Sequence, residues 1–212
     1  MNIFYMNSLF ARGIGKLVQM LYAGFLWFLF SLPVVTVGAA STALYEVMMK
    51  AAKEEEGYIG KSFLNAFRNN FKKSTYVWLP ILAAEIIFVV NLFYYAVLGG
   101  GNYPVQSVVF FLLLLAGLAV YSYAFPILAR FENTTGDTFR MAFILLLQNP
   151  GWTVVLIILQ IVTLFLVWFL VYIPLLFLMG ITGYIQAVIF NHIFDRLIDQ
   201  GKIIPNQPEK SE

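Results

Sequence analysis

Residues 152–194 read WTVVLIILQIVTLFLVWFLVYIPLLFLMGITGYIQAVIFNHIF, and no Asp, Glu, Lys or Arg interrupts them. Hydrocarbon offers the backbone no hydrogen-bond partner, so a segment this apolar crosses a bilayer as helix, with every N–H and C=O satisfied internally. One crossing takes about 20 residues. As a single rod, about 40 residues would extend about 60 Å, twice the hydrocarbon thickness. The stretch therefore divides into two spans, 152–171 and 174–194, with a tight reversal from Tyr172 to Pro174.

Charge is also absent from residues 17–45 and 86–129. Three further spans follow from these runs and their flanks, at 17–37, 76–98 and 107–129. The chain has 212 residues, 61% hydrophobic and 11% charged, with a mean hydropathy of +0.82. Soluble domains average about 45–50% and about 25%. A water-soluble fold is excluded, and the expected class is all-α: one polytopic transmembrane helical bundle of about five spans with short interfacial amphipathic helices. The first span is read as an uncleaved anchor. Val37-Gly38-Ala39 has the small residues of a cleavage site, but the apolar stretch is longer than the roughly 7–15 residues of a signal peptide. Pro33, Pro126 and Pro174 are expected to kink or end their helices.

With 13 Lys+Arg against 11 Asp+Glu, the net charge of +2 leaves no basic domain for nucleic acid. The cations do indicate direction. Alternating the connections between two sides puts Arg12 and Lys16 on one side and the other eleven Lys and Arg residues on the other. The positive-inside rule then places the loop after the first span, the loop after the third and the C-terminal tail in the cytoplasm, with the N-terminus outside. Arg12 and Lys16 oppose this. A break at Pro33 and Gly38, making the first segment re-entrant, is the alternative that leaves the N-terminus inside.

Within the first long loop, Phe63, Phe67 and Phe71 recur at i, i+4 and i+8 and share one helical face. The spacing predicts an interfacial amphipathic helix over 61–73. Phe63, Phe67, Arg68, Phe71 and Lys72 are its candidate docking residues for a cytoplasmic partner, while the plainer reading is an elbow feeding the second span. Phe63, Ala66, Phe67 and Tyr76 are echoed at an offset of 76 by Phe139, Ala142, Phe143 and Trp152. Two copies two spans apart would form a parallel repeat; chance matching in an aromatic-rich chain is the alternative.

Glu85 is the one charged residue inside an expected span. A carboxylate there costs about 2.5–3.5 kcal/mol on insertion scales unless it faces protein or water. Glu85, Asn91 and Gln160 form the candidate intramembrane polar site. Its functional reading is a proton- or cation-responsive group; its structural one is a Glu hydrogen-bonded to a neighbouring helix. His192, Asp195 and Arg196 are explained by pairing within one turn at a helix end. Asn133-Thr134-Thr135 is read as a turn before Gly136 rather than a glycosylation acceptor.

Reaction motifs are missing from the sequence: no phosphate loop of the form G-x-x-x-x-G-K-[ST], no H-E-x-x-H, no G-x-S-x-G. Zero cysteines and one histidine exclude thiolate chemistry and imidazole clusters. No enzyme, cofactor or metal is expected.

The run from Leu26 to Ala39, LWFLFSLPVVTVGA, continues through Thr42-Ala43-Leu44-Tyr45 to Glu55-Glu56-Gly57-Tyr58 with Phe63, Phe67 and Asn70-Phe71-Lys72. It resembles the YesL family of bacterial integral membrane proteins, over about the first 80 residues and beyond them by hydropathy and length alone. The resemblance implies a multi-pass protein of the bacterial cell membrane, accessory to carbohydrate uptake or its regulation and partnered by the membrane subunits of a transporter or sensor. It brings no catalytic residues. The rival expectation is a small-molecule permease with Glu85 in its pathway.

Overall fold

The computed structural model describes residues 3–53, 58–99, 102–169 and 175–201, and they are helical almost throughout. Among the described residues seven α-helices follow one another: α1 (Ile3–Ser31), α2 (Val37–Ala52), α3 (Ile59–Phe93), α4 (Pro104–Arg130), α5 (Thr135–Gln148), α6 (Pro150–Phe169) and α7 (Leu175–Asp199). No strand occurs among the described residues, so the all-α class stands. By length and composition, Ile14–Ser31, Ile59–Leu98 and Pro104–Arg130 can each cross a membrane. Thr135–Gln148 with Pro150–Thr163, bent by 106°, would be a fourth if counted as one span. The fourth and fifth expected spans correspond to α6 and α7, while the reversal at 172–174 lies outside the described residues.

Two boundaries differ from expectation. The first span, 17–37, is not one helix: α1 ends at Ser31, a 3₁₀ turn covers Val34–Thr36, and α2 begins at Val37. Pro33 lacks an N–H and constrains the residue before it, and Val34, Val35 and Thr36 are all β-branched, so helix does not resume at once. The backbone groups freed here find partners. Thr36 donates its hydroxyl to Phe30 O at 2.6 Å, its N–H bonds Pro33 O at 2.9 Å, and the Trp78 indole donates to Val34 O at 2.7 Å. A break of this kind survives in a membrane protein only where protein supplies the partners. The turn also brings Trp27 and Ser41 within a 3.1 Å hydrogen bond, a separation that about 21 Å of straight helix would forbid.

The second difference concerns the helix expected at 61–73. It forms, but as the first part of α3, which runs without interruption into the span expected at 76–98 and ends in a wider π turn at Tyr94–Leu98. The expected elbow is thus straight helix, and Pro80, the one proline inside α3, does not end it. Pro126 likewise lies inside α4, while Pro174 is outside the described residues.

α2 occupies the centre. Its 16 residues make about 24 Å of helix, short of a full crossing. Gly38 through Tyr45 are all buried. Small side chains let neighbours close in: a Cβ on Gly38 would lie 2.6 Å from Trp78 Cβ and 2.8 Å from Ser74 O. Thr42 donates to Gly38 O, so the Thr42–Ser74 hydroxyl pair at 2.8 Å has Ser74 as donor. Gly180 of α7 does the same against α1, where a Cβ would collide with the Met20 carbonyl.

One end of the bundle is tied by charge. Asp195 Oδ1 meets Lys53 Nζ at 2.8 Å and Arg130 Nη2 at 3.3 Å, and Asn191 donates to Met49 O at 3.0 Å. The ends of α2, α4 and α7, from three segments the charge count assigned to one side, therefore meet.

Candidate functional site

A cavity of about 250 Å³ lies among α1, α2, α3, α4, α6 and α7. Apolar residues such as Leu44, Ile81, Leu118 and Met179 supply much of its wall, and Trp27, Tyr45, Trp78 and Tyr121 bring aromatic rings from four helices. Its polar atoms fall into two sets.

The first set is closed upon itself. Ser41 accepts from the Trp27 indole at 3.1 Å and shares a hydrogen bond of 2.8 Å with Tyr121. Thr163 donates to Leu159 O at 2.7 Å, which leaves Thr182 as donor in their 2.9 Å contact. Tyr45 donates to the Gln186 amide oxygen. With its oxygen so engaged, the Gln186 amide has its NH₂ left over.

The second set has no protein partner: Oε1 of Glu85, both amide atoms of Gln160, and Nε2 of Gln186. Gln160 is 9% exposed and Gln186 2%, so bulk water does not substitute. All three residues line the cavity. Among the described residues its lining contains no Lys, Arg or His, so the carboxyl faces no compensating cation from them. Gly117 makes room for it: a Cβ at that position of α4 would strike Glu85 Oε1.

Two of the three expected intramembrane residues, Glu85 and Gln160, are thus brought together. Asn91 is not; its amide donates at 2.8 Å to Ile87 O of its own helix. The aromatic stripe on α3 serves mainly internal packing. Phe63 is fully buried, and Phe67 sits 4.9 Å from Phe30 and 5.5 Å from Phe71, ring centre to ring centre. Arg68, Phe71 and Lys72 remain exposed. Gln186 escaped the sequence reading although the criterion that selected Gln160, an amide in a charge-free run, applies to it equally. Gly117 carried no such signal, because its role depends on which helix faces Glu85.

The described residues hold no group of three or more His, Cys, Asp or Glu suited to a metal ion. Thr134 caps α5, accepting from Asp137 N at 3.2 Å, which gives the Asn133-Thr134-Thr135 turn a structural use.

The class so defined is a helical membrane bundle with a largely apolar cavity, lined among others by Glu85, Gln160 and Gln186. Residues 20–92, about a third of the chain, match the family model described as "Protein of unknown function, DUF624". No curated protein and no solved structure matches the chain. The matched segment runs from within α1 to nearly the end of α3 and contributes Trp27, Ser41, Tyr45, Trp78 and Glu85 to the cavity, whereas Gln160 and Gln186 lie beyond it.

Proposed function

We propose that this chain is a non-enzymatic membrane protein that takes a small molecule into the central cavity, as a permease or a membrane-embedded binding protein. One observation supports the reading above others: Glu85, Gln160 and Gln186, each with a buried polar atom that lacks a protein partner, line one cavity. Each buried polar group left without a partner costs about 1–3 kcal/mol, and a ligand that pairs them recovers that cost. The test is thermal stabilisation of the detergent-purified protein by a panel of small metabolites. A stabilising compound whose effect is lost in Gln160→Leu is the expected result. If no compound stabilises the protein and Gln160→Leu raises its melting temperature, the cavity is only a packing defect.

A second reading, assistance to carbohydrate uptake or sensing in a bacterial membrane with the basic end of the bundle in the cytoplasm, draws on the YesL resemblance and on the exposed Arg68, Phe71 and Lys72 of α3. Its test is co-purification with sugar-transporter membrane subunits, expected to be lost in an Arg68→Ala, Lys72→Ala double variant. Unchanged co-purification would remove α3 from the interface.

A further inference from the structure

Resting on the cavity reading above, we propose that the ligand is a compact organic cation: an ammonium group on an apolar body, carrying an oxygen acceptor. Size comes first. A cavity of about 150 Å³ takes benzene, so the space here suits about ten heavy atoms.

Charge follows from the lining. Among the described lining residues Glu85 supplies the one carboxyl, with Oε1 unpaired, and none is Lys, Arg or His. Trp27, Tyr45, Trp78 and Tyr121 surround the same space. A desolvated cation seated over an aromatic face gains from it what a neutral molecule does not, and four lining rings offer that opportunity. The two features select the same sign.

The remaining groups set the rest of the shape. Gln160 offers one acceptor and its NH₂; Gln186 offers its NH₂ alone, its oxygen being held by Tyr45. The amide oxygen suits an ammonium N–H, and the NH₂ groups call for a hydroxyl, ether or carbonyl oxygen on the ligand. A monosaccharide fits poorly. Its hydroxyls project in every direction, whereas unpaired polar atoms come from three side chains, the hydroxyls of Ser41, Thr163 and Thr182 are already engaged with protein, and much of the remaining wall is apolar, with Val37, Leu44, Ile81, Leu118 and Met179. Each hydroxyl turned toward that wall would lose its partner in water.

The test uses the full chain in mild detergent and four probes: 2-amino-1-phenylethanol, benzyltrimethylammonium, neutral 2-phenylethanol and methyl glucoside. Isothermal calorimetry is expected to show 2-amino-1-phenylethanol binding at least tenfold more tightly than 2-phenylethanol, with Glu85→Gln abolishing that preference, and benzyltrimethylammonium, which keeps the charge but lacks the N–H and the oxygen, binding between the two. Should Glu85→Gln fail to purify as a single species, the charged-against-neutral contrast on the unmodified protein decides alone. Methyl glucoside binding more tightly than the cations would overturn the cation assignment and leave the ligand-binding cavity standing. Equal affinity for 2-phenylethanol and the cations would do the same. Absence of binding by 2-amino-1-phenylethanol, the probe that carries all three features, also overturns it, and if Gln160→Leu then proves more stable than the parent, the ligand-binding reading falls too.

Discussion

α3 spans residues 59–93, and α5 with α6 spans 135–169; both limits differ by the 76 residues that separate the matched aromatic positions. One segment is a single helix and the other bends by 106°. At the seam of the first stand Lys73 and Ser74, at that of the second Asn149 and Pro150. Asn149 takes φ −126° and ψ 57°, outside the helical region and toward the conformation favoured before proline. Yet Pro80 lies within α3 without ending it. Proline alone does not decide the outcome. Pro80 has Leu79 and Leu82 close by, good helix formers, whereas Pro150 follows Asn149 and precedes Gly151, two poor ones. Despite their different shapes, both segments deliver a polar residue to the cavity from nearly equivalent positions, Glu85 and Gln160.

The comparison is broken most severely by putting the second seam into the first. Ser74→Pro should cost about 3 kcal/mol or more from the helix alone, and it also removes the hydroxyl that donates to buried Thr42. Size-exclusion chromatography in mild detergent should show loss of the monodisperse species. A variant that elutes and melts like the parent would mean that α3 owes nothing to continuity at Ser74.

Thr153→Val comes next. The Thr153 hydroxyl donates to Asn149 O at 3.0 Å, across the bend, so in its 3.0 Å contact with Tyr123 the tyrosine is the donor. Tyr123 is fully buried. Valine keeps the shape and strands that donor, for about 1–3 kcal/mol, read as a lower melting temperature. Tyr123→Phe in the same background should restore part of the loss, because it removes the stranded group; no restoration would place the cost elsewhere.

How much of this could be read beforehand follows the range of the forces involved. Apolar runs and helix class were legible because lipid leaves the backbone no alternative, and Glu85 and Gln160 stood out as polar residues in charge-free surroundings. The break at Pro33 was visible as an alternative in the sequence, but its partners, Thr36 from nearby and Trp78 from another helix, were not. The phenylalanine stripe was legible as a helix face and not as to what covers it: whether Phe63 meets lipid, a partner or Phe30 depends on tertiary contact. The same limit applies to Gly117 and Gly180, whose importance is set by backbone and side chains distant in sequence.

Removing the proline from the second seam should do less than adding one to the first. In Pro150→Ala the bend retains the Thr153 bond to Asn149 O and the packing of α5 on α4. Spin labels at exposed Phe143 and Ile158, on either side of the bend, should report the same separation as in the parent by pulsed dipolar spectroscopy. A longer separation would show α5 and α6 straightening into an α3-like rod, and would assign the bend to Pro150 alone.

The smallest effect on stability falls where the straight segment meets the cavity. In Gly117→Ala the new methyl would strike Glu85 Oε1, but that oxygen ends a flexible side chain that can swing away. The melting temperature should therefore move little, in contrast to Gly180→Ala, where the obstacle is the Met20 carbonyl of the backbone and the helices themselves must part. Ligand affinity should respond in the opposite order. Displacing the carboxyl from its place against α4 should weaken binding of a cationic probe nearly as much as Glu85→Gln does, whereas Gln160, reaching the cavity from the bent segment, keeps its place. If Gly117→Ala binds as the parent does, the carboxyl acts by its charge from anywhere in the cavity, and its fit against Gly117 has no part in recognition.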